Sequence, residues 1–376
     1  MMIRLSKLFL AAVLIVSAVC CQPSCSDGGR KTAQTDKTPH DAPLPSGSVA
    51  YIFDSEENAG EWYDVGASSA LSEYAASCGL SYVEYIPADD TTASRIEAVS
   101  SAVEGGADII VCSGYFSYTA ILEAQFMYPD VAFLCVGGAE PDPQFGESLA
   151  ENTHCIVFCE EDAGYLAGYI AVAEGSVTPG FAAFEENDQT ASIFSGFVAG
   201  VADAASALGR ERVTVVAGRN AVSGGTDADG HLVDRLPEII FSEGADSVAV
   251  SAAQFFHAVR AADASGAHAI PVCYVPEDKS GIDTAFPVYD YGAAAVSALS
   301  RFFEGDLSWS VRDAGTCSRV GLAEGAVTAV FDRSSSFTER DLDAIVSSFK
   351  TGKTRLTRAE RFSDVSNDSV EIIFAE

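Results

Sequence analysis

Three acidic residues, Asp227, Asp229 and Glu238, have the first, third and twelfth spacing of a calcium loop. Such a loop needs glycine at its sixth position for the sharp turn, and here that position is Leu232, after His231 at the fifth. Calcium is not expected there. His40, His154, His231, His257 and His268 form neither an HExxH nor any paired metal spacing. No nucleophile elbow, phosphate loop or Gly-x-Gly-x-x-Gly occurs. Serine, histidine and aspartate are present, but nothing places them together. The reading is of a protein that binds and does not catalyse, with no catalytic residue, metal or cofactor.

The remaining candidates for chemistry are aromatic and acidic residues at the ends of apolar runs. From Val49 the pattern alternates between short apolar strands and longer amphipathic segments. Strands are expected at 49–53, 82–86, 108–112 and 131–136, with helices near 62–78, 92–105 and 117–128. Strand, helix, strand repeated in this way argues for a parallel sheet covered on both faces, and such sheets bind ligands at the carboxyl ends of their strands. Those ends carry Asp54, Ser113-Gly114-Tyr115 and Gly137-Gly138, with Tyr63 and Asp64 in the loop after the first strand.

A second series follows the run Cys155-Ile156-Val157-Phe158-Cys159. Its strands are expected at 181–184, 213–216, 247–250 and 271–274, and its helices near 190–208, 230–243 and 254–265. A helix at 292–304 and tail strands at 326–331 and 370–374 complete the pattern. Two such halves, linked by more than one crossing, imply two lobes around a cleft. The first would comprise 48–159 with 276–308, and the second 160–275 with 309–376. Glu160, Phe184, Glu185 and Tyr289 then join the strand-end candidates. Between the halves lies Glu160-Glu161-Asp162-Ala163-Gly164-Tyr165-Leu166-Ala167-Gly168-Tyr169-Ile170-Ala171. Its acidic start suits a helix N-terminus. Gly164, Ala167, Gly168 and Ala171 recur at helical spacing and leave a flat stripe for close packing, expected against a sheet.

The formal net charge of −32 leaves no basic patch, so nucleic acid is not an expected partner, and a neutral or cationic small ligand fits better. Residues 1–20 read as a signal peptide: Arg4 and Lys7, then an apolar run from Leu8 to Val19, then Cys20-Cys21. The order resembles a bacterial lipoprotein signal, with Cys21 a slightly better match than Cys20 for the lipidated residue, and it implies a membrane-anchored protein facing the periplasm or exterior; the alternative is a plain secretory signal. Gln22 to Gly47 is rich in Pro, Ser, Thr, Asp and Gly and reads as a flexible tether reaching roughly 30 Å. The ten cysteines contain no CxxC and are read as buried free thiols, consistent with a reducing or oxygen-poor habitat.

Taken together, these residues resemble the basic-membrane-protein family, purine-nucleoside-receptor-like substrate-binding lipoproteins of ABC importers. The resemblance spans nearly all of 48–350. It rests on Asp162-Ala163-Gly164-Tyr165-Leu166-Ala167-Gly168, on Gly196-Phe197-Val198-Ala199-Gly200-Val201 after Gly180-Phe181, and on Gly114-Tyr115 followed by Tyr128-Pro129-Asp130-Val131-Ala132-Phe133. Gly321-Leu322 also fits. The resemblance implies a type I periplasmic-binding-protein fold: two Rossmann-like α/β lobes with parallel sheets around a ligand cleft. It implies an aromatic that stacks on a nucleobase, which aligns with Tyr63, and an Asn beside it, which here is Asp64. The family's ligand Asp after the fourth strand aligns with Gly137. Its Gly-Val-Asp aligns with Cys273-Tyr274-Val275, its following Lys with Tyr289, and its Gly-rich turn with Ser251-Ala252-Ala253-Gln254. The ribose-holding set is thus absent. The expected ligand is nucleoside-like, neutral or cationic, bound by Asp54, Tyr63, Asp64, Tyr115, Gly137, Glu160, Phe184, Gln254, Val275 and Tyr289. The expected assembly is a monomer delivering it to an ABC permease. A second reading is a surface lipoprotein of the same fold that has lost transport and serves as a sensor or host-contact protein.

Overall fold

In a computed structural model the chain is described over residues 47–55, 61–226, 232–251, 255–276 and 282–375. The leader, the tether, Cys21, Gln254 and the 227–231 portion of the calcium-like spacing lie outside these residues. The chain opens with β1 (Ser48–Ile52), α1 (Trp62–Cys78), β2 (Ser81–Tyr85), α2 (Thr92–Glu104), β3 (Ile109–Ser113), α3 (Tyr115–Met127), β4 (Ala132–Val136) and β5 (Thr153–Phe158). Then come α4 (Glu160–Ala173), β6 (Pro179–Ala182), α5 (Asp188–Ala207), β7 (Val213–Gly218), β8 (Ser223–Thr226) and β9 (Leu232–Asp234). The series continues with α6 (Leu236–Ser242), β10 (Ser247–Ser251), α7 (Phe255–Ser265) and β11 (His268–Val272). The closing part holds β12 (Phe286–Tyr289), α8 (Tyr291–Glu304), β13 (Thr316–Val320), β14 (Val327–Val330), α9 (Glu339–Lys350) and β15 (Val370–Phe374).

Two parallel sheets form, ordered β13-β5-β4-β3-β1-β2 and β11-β10-β6-β7-β15. The central strands of the first sheet, β3, β4 and β5, are buried along their whole length, which is why they read as apolar runs. β12 and β14 pair antiparallel apart from both sheets, and α8 lies on α1, with Gly292 close to Ala70.

Two features depart from the sequence reading. Residues 316–320 fall in the span given to the second lobe, yet β13 pairs with β5 in the first sheet, Cys317 beside Cys155. Thr316, Ser318 and Arg319 hide this strand from an apolar-run reading, because an edge strand keeps one flank polar. The stripe on α4 meets a helix, not a sheet. Gly164 and Gly168 face the backbone of Ile193 and Phe197 on α5, while Gly196 and Gly200 of α5 face Glu161 and Tyr165. A Cβ at any of the four would lie well inside 3.0 Å of partner backbone, a separation real Cβ atoms do not show. The two stripes are reciprocal, so the helices touch backbone to backbone.

The expected thiols Cys112, Cys135 and Cys155 are buried, free and side by side in register across β3, β4 and β5. Hydrogen bonding to a neighbouring thiol, with burial adding to it, raises the Cys135 and Cys155 thiols well above the usual range, which suits packing groups.

Candidate functional site

A cleft of about 620 Å³ opens between strand ends of the first sheet and the start of α5. Tyr115, Gly137, Glu140 and Phe158 line it from the ends of first-sheet strands and the loops after them, and Asp188 at the start of α5 and Arg358 in the loop after α9 line it opposite. Glu160, Tyr289 and Tyr291 form its floor between them.

The floor is aromatic. Phe158 stacks on Tyr289, with centroids 4.5 Å apart and planes 8° from parallel. Tyr291 leans on Phe158 at 4.7 Å, on Trp62 at 5.4 Å and on Tyr63 at 5.7 Å. It is the first residue of α8, a helix whose start is set by the Asp290 side chain accepting from Ala293 N at 2.8 Å. Gly137, with φ +73°, has the left-handed backbone that favours glycine. Tyr291 lies against it, and a Cβ at 137 would meet that ring inside 3.0 Å. Tyr291 therefore takes the room a side chain at 137 would need. The Tyr289 hydroxyl is buried beside the Cys273 thiol and, among the described residues, has no oxygen or nitrogen hydrogen-bond partner.

The sequence candidates separate here. Tyr115, Gly137, Glu160 and Tyr289 come together in the cleft. Tyr63 is packed one layer behind, between Tyr291 and Gly114. Phe184 is half-exposed and Val275 half-buried, and neither lines the cavity. Asp54 and Asp64 are turned inward. Asp54 is 2% exposed, and its carboxylate holds Arg95 Nη2 at 2.8 Å. Asp64 is fully buried and accepts from the Tyr51 hydroxyl at 2.6 Å and from Asp54 N at 2.9 Å. Asp54 follows β1 and Asp64 lies in the first turn of α1, and neither lines the cleft.

Tyr291, Arg319, Arg358 and Glu140 escaped the sequence reading. Arg319 and Arg358 left one usable signal: cations are scarce in this chain, 22 against 54 acidic residues. Arg319 lies on the hidden strand β13 and pairs with Glu160 at 3.1 Å and Glu161 at 2.8 Å. Arg358 pairs with Asp188 at 3.3 Å. Burial pushes the Glu160 carboxyl above its usual range, against the pull of Arg319.

Burial likewise pushes Asp64 up to about 7, with Asp54 and Glu61 adding to it, and Asp162 up to about 7, with Glu161 and Glu324 adding to it. Asp162 stands in the first turn of α4 and accepts from Leu322 N at 2.8 Å. A carboxyl whose folded pKa exceeds its unfolded value favours folding below the unfolded value, and that advantage disappears as pH rises through the folded one. Stability is therefore expected to fall between about pH 5 and about pH 8, by roughly 2 kcal/mol per group. Thermal melts across that range check this. Asp64→Asn and Asp162→Asn should each flatten the slope, whatever they do to the absolute Tm. A wild-type melting temperature that climbs over the same interval would refute it.

Residues 56–214 match the family of ABC transporter substrate-binding proteins described as PnrA-like, Bmp. The match covers about two-fifths of the chain, and there the sequence is similar to that family. No curated protein matches the sequence. Among solved structures, an ABC transporter solute-binding protein from Conexibacter woesei is similar at 16% identity and TM-score 0.60, covering 83% of this chain and 98% of its own. A transcriptional activator of the comK gene from Bacillus halodurans is similar at 20% identity and TM-score 0.57, covering 81% and 99%. At such identities the likeness is one of fold, and the fold is the type I periplasmic-binding-protein fold.

Proposed function

We propose that this protein is the lipid-anchored solute receptor of an ABC importer, taking a small metabolite between two lobes and handing it to the permease. The lobes are 48–159 with 276–308 and 160–275 with 309–376, the strand 316–320 excepted. The observation that carries the reading is the cleft itself: strand ends of the first sheet face the start of α5 and Arg358 over aromatic side chains of Phe158, Tyr289 and Tyr291. Such a floor suits a flat or apolar group. The surrounding carboxylates Glu140, Glu160 and Asp188 outnumber Arg319 and Arg358 and disfavour a net anion. The ligand class is a neutral or cationic, partly aromatic metabolite, with adenosine-like nucleosides first and small amines second. Cys21 carries the anchor, and intact mass spectrometry of membrane-extracted protein should show its lipid mass, lost in Cys21→Ser.

Titration calorimetry against adenosine, guanosine, adenine and small amines tests the ligand. Adenosine-like binding is expected to weaken by about 1–3 kcal/mol in Tyr291→Ala, the worth of one base–aromatic contact, since Tyr291 lines the cleft and Tyr63 stands behind it. Tight guanosine binding indifferent to that change would defeat the assignment. One observation favours the second reading, a surface lipoprotein of this fold without transport. The Tyr291 ring already fills the space between Gly137 and Tyr63. A panel with no binder at all would select that reading.

A further inference from the structure

Charge joins the two sides of the cleft. Arg319, on β13 of the first sheet, donates from Nη2 to Glu160 and Glu161 at the start of α4. Its Nη1 donates to Glu140 Oε1 at 3.3 Å, in the loop that follows β4. The other oxygen of Glu140 faces Arg358 Nη1 at 3.9 Å. Arg358 is fixed to the second side. Its Nη2 donates to Asp188 Oδ2 at 3.3 Å, and the neighbouring Thr357 carbonyl accepts from the Ser195 hydroxyl of α5 at 2.6 Å. Glu140 thus gives one oxygen to an arginine of each side.

The placement is informative because the rims are otherwise alike in sign. Glu140 and Asp142 stand on one rim and Asp188 on the other, in a chain of net charge −32. Without the two arginines, like charges would press the rims apart. With them, each rim presents a carboxylate paired with a guanidinium, and Glu140 belongs to both pairs. We propose that Glu140 is a latch that holds the cleft mouth closed in the absence of solute by bridging Arg319 of the first sheet to Arg358 of the second side. The inference does not depend on which solute binds or on whether transport is the role.

The side chains are partly wet, with Glu140 50%, Arg358 37% and Arg319 27% exposed, so the latch is salt-sensitive and modest. Loss of Glu140 should shift the ratio of closed to open forms roughly three- to tenfold toward open. Small-angle X-ray scattering on the exhaustively dialysed protein reads this directly. Wild type at an ionic strength of about 0.01 M should show the smaller radius of gyration, and at about 1 M, where the Debye length is near 3 Å, a larger one. Glu140→Gln should show the larger value at both, and Arg358→Gln should reproduce it. Glu238→Gln, which breaks only the local Arg235–Glu238 pair, should behave as wild type. Thermal melts confirm that each variant is folded. Superimposable profiles for wild type and Glu140→Gln, or a salt response that persists in Glu140→Gln, would overturn the latch.

Discussion

Gly196→Ala is expected to destabilise the protein by at least about 3 kcal/mol, although alanine is the better helix former. In a free helix the same change would favour the helical state by about 1 kcal/mol. Here the added Cβ meets Glu161 O and the Tyr165 backbone nitrogen of α4. Backbone cannot rotate out of the way as a side chain can, so α4 and α5 must separate. Separation also unseats Gly164, Gly168 and Gly200, which depend on the same spacing. The control is Gly66→Ala on α1, where an added Cβ meets nothing within 4 Å. That variant should be unchanged or slightly more stable. Urea melts of the two give opposite signs for one chemical change. Equal and small effects would mean that the helices can slide apart at little cost.

Arg95→Met should cost about 3–5 kcal/mol, because it takes the guanidinium from a buried carboxylate. Arg95 and Asp54 have side chains 3% exposed, with Nη2 and Oδ1 2.8 Å apart. The guanidinium also donates from Nε to the Asp54 carbonyl at 2.8 Å and from Nη1 to the Asp90 carbonyl at 2.5 Å. Much of the loss comes from burying the Asp54 carboxylate without this guanidinium, so the double variant Asp54→Asn, Arg95→Met should recover part of it. The pair also separates two roles for Asp54. If it serves the loop, Arg95→Met lowers stability and spares the affinity of whatever solute the cleft takes. If it serves the ligand, affinity falls by more than stability can explain.

The same two regions show what was legible in the sequence and what was not. The central strands could be read to within a residue or two because a strand covered on both faces needs only apolar residues. β13 could not, since its exposed flank mixes Thr316, Ser318 and Arg319 with Cys317 and Val320. The glycine stripe announced close packing, but nothing in α4 alone says whether a sheet or a second stripe lies opposite. That information sits on α5, in Gly196 and Gly200. Asp54 and Asp64 were legible in place and not in direction. Tyr51, inside β1, turns Asp64 inward through its hydroxyl, and Arg95, on α2, does the same for Asp54. Both partners are distant enough in sequence that residue type gives no hint of the pairing. Tyr291 was illegible for a related reason: it matters because Gly137 leaves it room.

The edge strands carry a consequence for the order in which the chain can assemble. β5 is left without a neighbour on one side until residues 316–320 arrive, and β7 until residues 370–374 arrive. A nascent chain ending near residue 300 therefore has two bare strand edges, each able to pair with another molecule. Both sheets close only through contacts between residues far apart in sequence, which form slowly. The final step of folding is then shared by the two sheets, and a polypeptide cut between them should yield two aggregating fragments and not two domains.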